Sequence, residues 1–71
     1  MAGGLKKRSV KLAGHATSLA LEPEFWAVLD QAATEEGVSL SGLIARIDEG
    51  RGARALASAC RVFALERGAS D

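Results

Sequence analysis

The chain has one cysteine, one proline, no tyrosine and only three aromatic residues, Phe25, Trp26 and Phe63, among its 71 positions. Each shortage removes an option. A single thiol forbids an intramolecular disulfide, and one cysteine with one histidine cannot build a Cys/His zinc cage, so no covalent or metal staple is expected. No apolar run approaches the roughly 18 residues of a membrane span, and the basic start is not followed by the continuous apolar stretch of a signal peptide. A reduced, cytoplasmic protein without a membrane partner follows. The sequence also lacks a glycine-rich phosphate loop, a nucleophile elbow and a cluster of metal ligands, which points away from an enzyme and from any cofactor.

Charge of either sign is balanced, for a formal net of zero. That total speaks against a nucleic-acid binder, whose domains are usually basic. The distribution speaks otherwise: the first twenty residues carry Lys6, Lys7, Arg8 and Lys11 and no acid, a net of +4. The remainder sets five arginines against nine acids, a net of −4. One sign gathered on one segment is either an electrostatic footprint or a solubilising tail.

The hydrophobic period changes once, without a linker. Leu19 and Leu21 alternate with Ser18 and Ala20, and after Glu22, Pro23 and Glu24 the residues Phe25, Val28, Leu29, Ala32 and Ala33 repeat at helical spacing. A strand therefore feeds directly into a helix from Pro23 to Glu36, with proline at the first turn, where its missing N–H costs nothing. Gly37 ends this helix. Ser39 is a credible N-cap for a second helix whose stripe is Leu40, Leu43, Ile44 and Ile47. The glycines flanking Arg51 break the pattern, and Leu56, Ala59, Cys60 and Phe63 resume it in a third helix ending near Arg67 and Gly68.

Upstream, residues 1–4 are expected to be disordered and residues 1–8 to form a flexible basic arm. Ser9 to Ala13 alternates as a short strand. A two-residue loop at Gly14 and His15 would make a type II′ hairpin pairing Val10 with Leu19 and Lys11 with Ser18; the alternative is an extended arm before a lone strand. The domain plan is thus an arm over 1–8, a core over 9–49 and a C-terminal helix over 53–67. A chain this short buries little surface alone, so an obligate dimer is expected, its core joining Leu19, Leu21, Phe25, Leu29, Leu43, Ile44 and Ile47 from both copies.

The run from Ser18 through Trp26, followed by Leu29, Gly37 and Val38-Ser39-Leu40-Ser41, resembles the ribbon-helix-helix, Arc/MetJ-type family of bacterial and phage DNA-binding regulators. Arg8-Ser9-Val10, Gly14-His15, Thr17-Ser18, Ile47-Asp48 and the segment from Ser58 to Phe63 resemble a small alphaproteobacterial-type variant with an extra C-terminal helix. The resemblance implies a mostly helical fold with a short β-ribbon, an intertwined homodimer, and transcriptional regulation through duplex DNA. One strand from each subunit would form a ribbon in the major groove. Its outward positions here are Ala16, Ser18 and Ala20, joined by Ser9 and Lys11 if the first strand takes part. Two alanines among three positions depart from the family pattern, since alanine reaches no base-edge donor or acceptor. The start of the second helix, at Ser39 and Ser41, would hold a phosphate. With the basic residues Lys6, Lys7, Arg8 and Lys11, these make the candidate DNA surface. The rival is a dimeric interaction module, antitoxin-like or an adaptor, that keeps the fold without reading DNA and grips a protein partner with its C-terminal helix.

The other conspicuous residues have plainer readings. His15 is expected to be a turn residue, Trp26 to pack under the ribbon or at a dimer seam, and Cys60 to be a small buried hydrophobe. Arg51, Arg54 and Arg61 are expected in solvent or paired with Asp48 and Glu49.

Overall fold

The computed structural model describes residues 4–70, the side chains of 69 and 70 excepted. Two antiparallel strands, β1 (Lys6–Leu12) and β2 (His15–Leu21), precede three helices, α1 (Pro23–Glu36), α2 (Leu40–Glu49) and α3 (Leu56–Ser70). The disorder expected at the N-terminus falls mainly on residues outside those described.

The hairpin exists, but its turn lies one residue earlier than expected. Ala13 (φ 52°) and Gly14 (φ 83°) both adopt left-handed conformations, which makes a type I′ turn, so His15 belongs to β2 and not to the loop. The register becomes Val10 with Thr17 and Lys11 with Ala16, replacing the expected pairs with Leu19 and Ser18. Each partner moves by two residues. Because strand side chains alternate with period two, that shift keeps every residue on its expected face.

β1 also starts at Lys6, three residues before the expected Ser9, so Lys6, Lys7 and Arg8 belong to the sheet and not to a loose arm. They pair with Leu21, Ala20 and Leu19. The physical reason lies on α1, where the indole Nε1 of buried Trp26 donates to the Lys6 carbonyl at 2.8 Å.

α1 has its expected bounds. Gly37 closes it in the left-handed region (φ 70°), with its N–H on the Thr34 carbonyl and that of Val38 on the Ala33 carbonyl, a Schellman ending. Its buried face consists of Trp26, Leu29, Ala32 and Ala33, whereas Phe25 and Val28, expected inward, are only partly buried. The face has turned toward Trp26 because the sheet sits over that residue. α2 begins with Ser39 as its N-cap, whose Oγ accepts from the Gly42 N–H at 2.9 Å. A Cβ on Gly42 would lie 3.1 Å from that hydroxyl, which gives this glycine a local reason.

α3 starts at Leu56 and runs through Gly68, beyond the helix end expected there. It packs on α1, α2 and β2, while α2 also packs on β1. Ion pairs hold it at two points: a part-buried one from Arg61 Nε to Glu22 Oε1 at 2.9 Å, and, near its C-terminal end, Arg67 to Glu35 at 2.8 Å and Glu36 at 2.6 Å. Arg61 thus reaches Glu22 and neither of the acids expected for it; Arg51 does pair with Asp48, at 2.6 Å.

Leu21, Leu29, Leu43, Ile44 and Cys60 are fully buried within this one chain. Of the core expected to be shared by two copies, Leu19, Leu21, Leu29, Leu43 and Ile44 are already covered within one chain, with β1 and α3 contributing cover, while Phe25 and Ile47 are only partly buried. Burial pushes the Cys60 thiol up to about 11, so it is a protonated, packed side chain at neutral pH.

Candidate nucleic-acid interface

The hairpin has two unlike faces. Val10, Leu19 and Leu21 are buried against the helices. By strand alternation Lys7, Ser9 and Lys11 of β1 and Ala16, Ser18 and Ala20 of β2 share the opposite face, paired as Lys7 with Ala20, Ser9 with Ser18 and Lys11 with Ala16. This outer face is a row of two lysines around a serine beside a row of small residues.

Five sequence candidates, Lys7, Lys11, Ala16, Ser18 and Ala20, are brought together there, with Ser9 completing the set. Arg8 and Lys6 are not among them. They share the parity of Val10 and stand on the helix side, where the Arg8 guanidinium lies 4.7 Å from the centre of the Trp26 ring and 3.1 Å from Asp30. Counting back in twos from Val10 would have located both, had the strand been extended past Ser9.

Ser39 and Ser41 flank the start of α2, and the structure joins that end to the hairpin. The Lys11 backbone N–H donates to Ser41 Oγ at 3.1 Å, which places the α2 N-terminus against the outer edge of β1 beside Lys11. This contact between residues thirty apart is one that sequence patterning missed. Ser39 Oγ is committed to Gly42, and among the described residues the backbone N–H groups of Leu40 and Ser41 have no protein acceptor. Two free donors at the positive end of a helix dipole, next to a lysine strand, form a surface able to accept an anion.

The charge asymmetry along the chain becomes an asymmetry of faces. The ion pairs among the described residues all use arginine, and Glu22, Glu35, Glu36 and Asp48 are engaged among the helices. Arginine hydrogen bonds hold the carboxyls of Glu22, Glu35 and Glu36 below the usual carboxylate range. Lys7 and Lys11 have no carboxylate within ion-pair distance among the described residues, so their charge is not cancelled locally. Zero net charge therefore coexists with one cationic face. His15 stands exposed at the start of β2, and no group of three or more metal-ligating residues occurs among the described residues. No described helix is long and apolar enough to cross a membrane.

Comparison with known proteins agrees with this architecture. No curated protein matches the chain. Among solved structures, an uncharacterized protein from Bordetella pertussis Tohama I is similar, at 34% identity and a TM-score of 0.82 over 96% of this chain. The match spans 58% of that protein's length. A family model described as a ribbon-helix-helix domain matches residues 5–67, which includes the hairpin, α1, α2 and most of α3. The chain belongs to the ribbon-helix-helix domain family.

Proposed function

We propose that this protein is a DNA-binding regulator that holds duplex DNA chiefly by its phosphates, through the outer face of the hairpin and the start of α2. The observation that carries this reading is the locally uncancelled pair Lys7 and Lys11 on a face otherwise built of Ala16, Ser18, Ala20 and Ser9. Lysines positioned on a small-residue surface approach a sugar-phosphate backbone closely, and Ser41 sets the free N–H groups of α2 beside Lys11 for the same phosphate row. Base reading is weak in this arrangement, because neither alanine offers a hydrogen bond to a base edge. Lys6 and Arg8 act through the fold and not on DNA.

A homodimer fits the same surface. In a two-residue hairpin the hydrogen-bonded pairs alternate outward from the turn, so Ala16, Ser18 and Ala20 direct their N–H and C=O groups to the open edge of β2. The edge of β1 is occupied at Lys11 by Ser41, which leaves β2 for a second copy. Two hairpins joined there make four strands about 14 Å across, against a major groove about 12 Å wide. Such a sheet straddles the groove and sets its outer lysine strands over the two backbones, which favours affinity over selectivity. The deciding experiment is a titration of the full chain with duplex DNA at several salt concentrations. Affinity that falls steeply with salt supports the reading. No salt-dependent affinity for any duplex at about 50 mM salt overturns it in favour of the interaction module.

A further inference from the structure

On the helical side of the molecule, away from the lysine face, α2, the loop after it and α3 enclose an open groove of about 530 Å³. Ile47, Val62 and Phe63 supply apolar lining and are all only partly buried. Arg46, Arg51 and Arg54 line it as well, against a single acid, Glu66. The hairpin reading makes no use of this groove.

The three arginines are differently committed. Arg51 is structural: its Nε bonds Asp48 at 2.6 Å and its Nη1 bonds the Arg54 carbonyl at 2.7 Å, which folds the α2–α3 loop. Arg46 gives one N–H to Glu36 at 2.7 Å in an exposed pair, and such pairs exchange readily for another carboxylate. Arg54 is exposed and has no ion-pair partner among the described residues. The groove is too open to enclose most of a small ligand, but two helices with apolar side chains between them are the usual seat of a third. We propose that this groove binds an acidic amphipathic helix of a partner protein, with its apolar stripe on Ile47, Val62 and Phe63 and its carboxylates on Arg46 and Arg54. The proposal is independent of DNA binding by the hairpin.

The test uses the full chain and a labelled helical peptide of leucine and glutamate, with the leucines at i, i+3, i+4 and i+7, followed by fluorescence anisotropy. The expected result is saturable binding that weakens when glutamine replaces glutamate in the peptide. It should weaken about tenfold in the R46E/R54E variant, as reversal of two exposed rim charges implies. The same variant should gain affinity for a lysine version of the peptide, a reversal that mere misfolding cannot produce, and its circular dichroism should match the parent. Equal binding of the glutamate and glutamine peptides, no binding of either, or unchanged affinity in R46E/R54E overturns the proposal. Displacement of the peptide by duplex DNA in a K7A/K11A background also overturns it, by assigning the arginines to phosphate.

Discussion

Arg8 stands over Trp26, its Cζ 4.7 Å from the ring centre, while the indole Nε1 of Trp26 donates to the carbonyl of Lys6 two residues away. One side chain of α1 thus holds β1 by a hydrogen bond, a cation–π contact and burial. The same arrangement removes Arg8 and Lys6 from the exposed lysine face.

Trp26→Phe keeps most of the apolar area and loses the bond to Lys6, so a loss of about 1–2 kcal/mol is expected, against about 3–5 kcal/mol for Trp26→Ala. Chemical denaturation of each variant followed by circular dichroism measures this. Equal stability of Trp26→Phe and the parent would show that the indole N–H contributes nothing to the docking of β1.

Ala13 is exposed and occupies a left-handed conformation (φ 52°), and Asn-Gly is the favoured type I′ pair. Ala13→Asn should stabilise the chain by roughly 0.5–1 kcal/mol, read as a higher denaturation midpoint. A drop in stability would contradict the turn type.

Lys11→Ala and Arg8→Ala should separate DNA contact from scaffolding. For a dimer losing two phosphate contacts, Lys11→Ala flattens the slope of log affinity against log salt by about 1.8. Arg8→Ala should lower thermal stability and leave that slope unchanged. Point substitutions are needed because removing residues 1–8 would take three residues out of β1.

Glu22, Glu35 and Glu36 have carboxyls depressed below their ordinary value of 4.5, by the Arg61 hydrogen bond for Glu22 and the Arg67 hydrogen bonds for the other two. A depressed folded-state value means that their stabilisation is present above the unfolded value and is lost as pH falls through it toward the lower folded value. The melting temperature should therefore decline on acidification below about 4.5, less steeply in high salt and in Arg67→Ala. Arg67 itself, raised further by the same carboxylates, stays charged throughout.

Leu43→Ala should cost about 2–5 kcal/mol whether the chain is single or paired, because Leu43 is already 2% exposed within one copy. Dimerisation has a separate signature, a melting temperature that rises with protein concentration. Ser18→Lys, in the middle of the open β2 edge, should reduce that concentration dependence with little change in helicity.

Local chemistry was enough to place α1 and α2. Pro23 at the first turn, Gly37 in the left-handed region and Ser39 bonding Gly42 are decisions taken within a few residues of where they act. Strand faces are legible for a similar reason: period two survives a register shift of two, so alternation alone sets Ala16, Ser18 and Ala20 on one face, with Lys11 beside them once the first strand takes part. Register depended on whether Ala13 would accept a positive φ. The start of β1 depended on an indole twenty residues away finding the Lys6 carbonyl. Contacts that close one chain on itself were equally out of reach: Arg61 meets Glu22 across thirty-nine positions, and Lys11 meets Ser41 across thirty. Hydrophobic periodicity identifies which side of an element is buried, but it carries no term for which element, from which copy, does the burying. Within one chain, the packing of α3 on α1 and α2 and of β1 on α2 supplies cover for Leu29 and Ile44, with the ion pairs of Glu22, Glu35 and Glu36 fixing α3 in place.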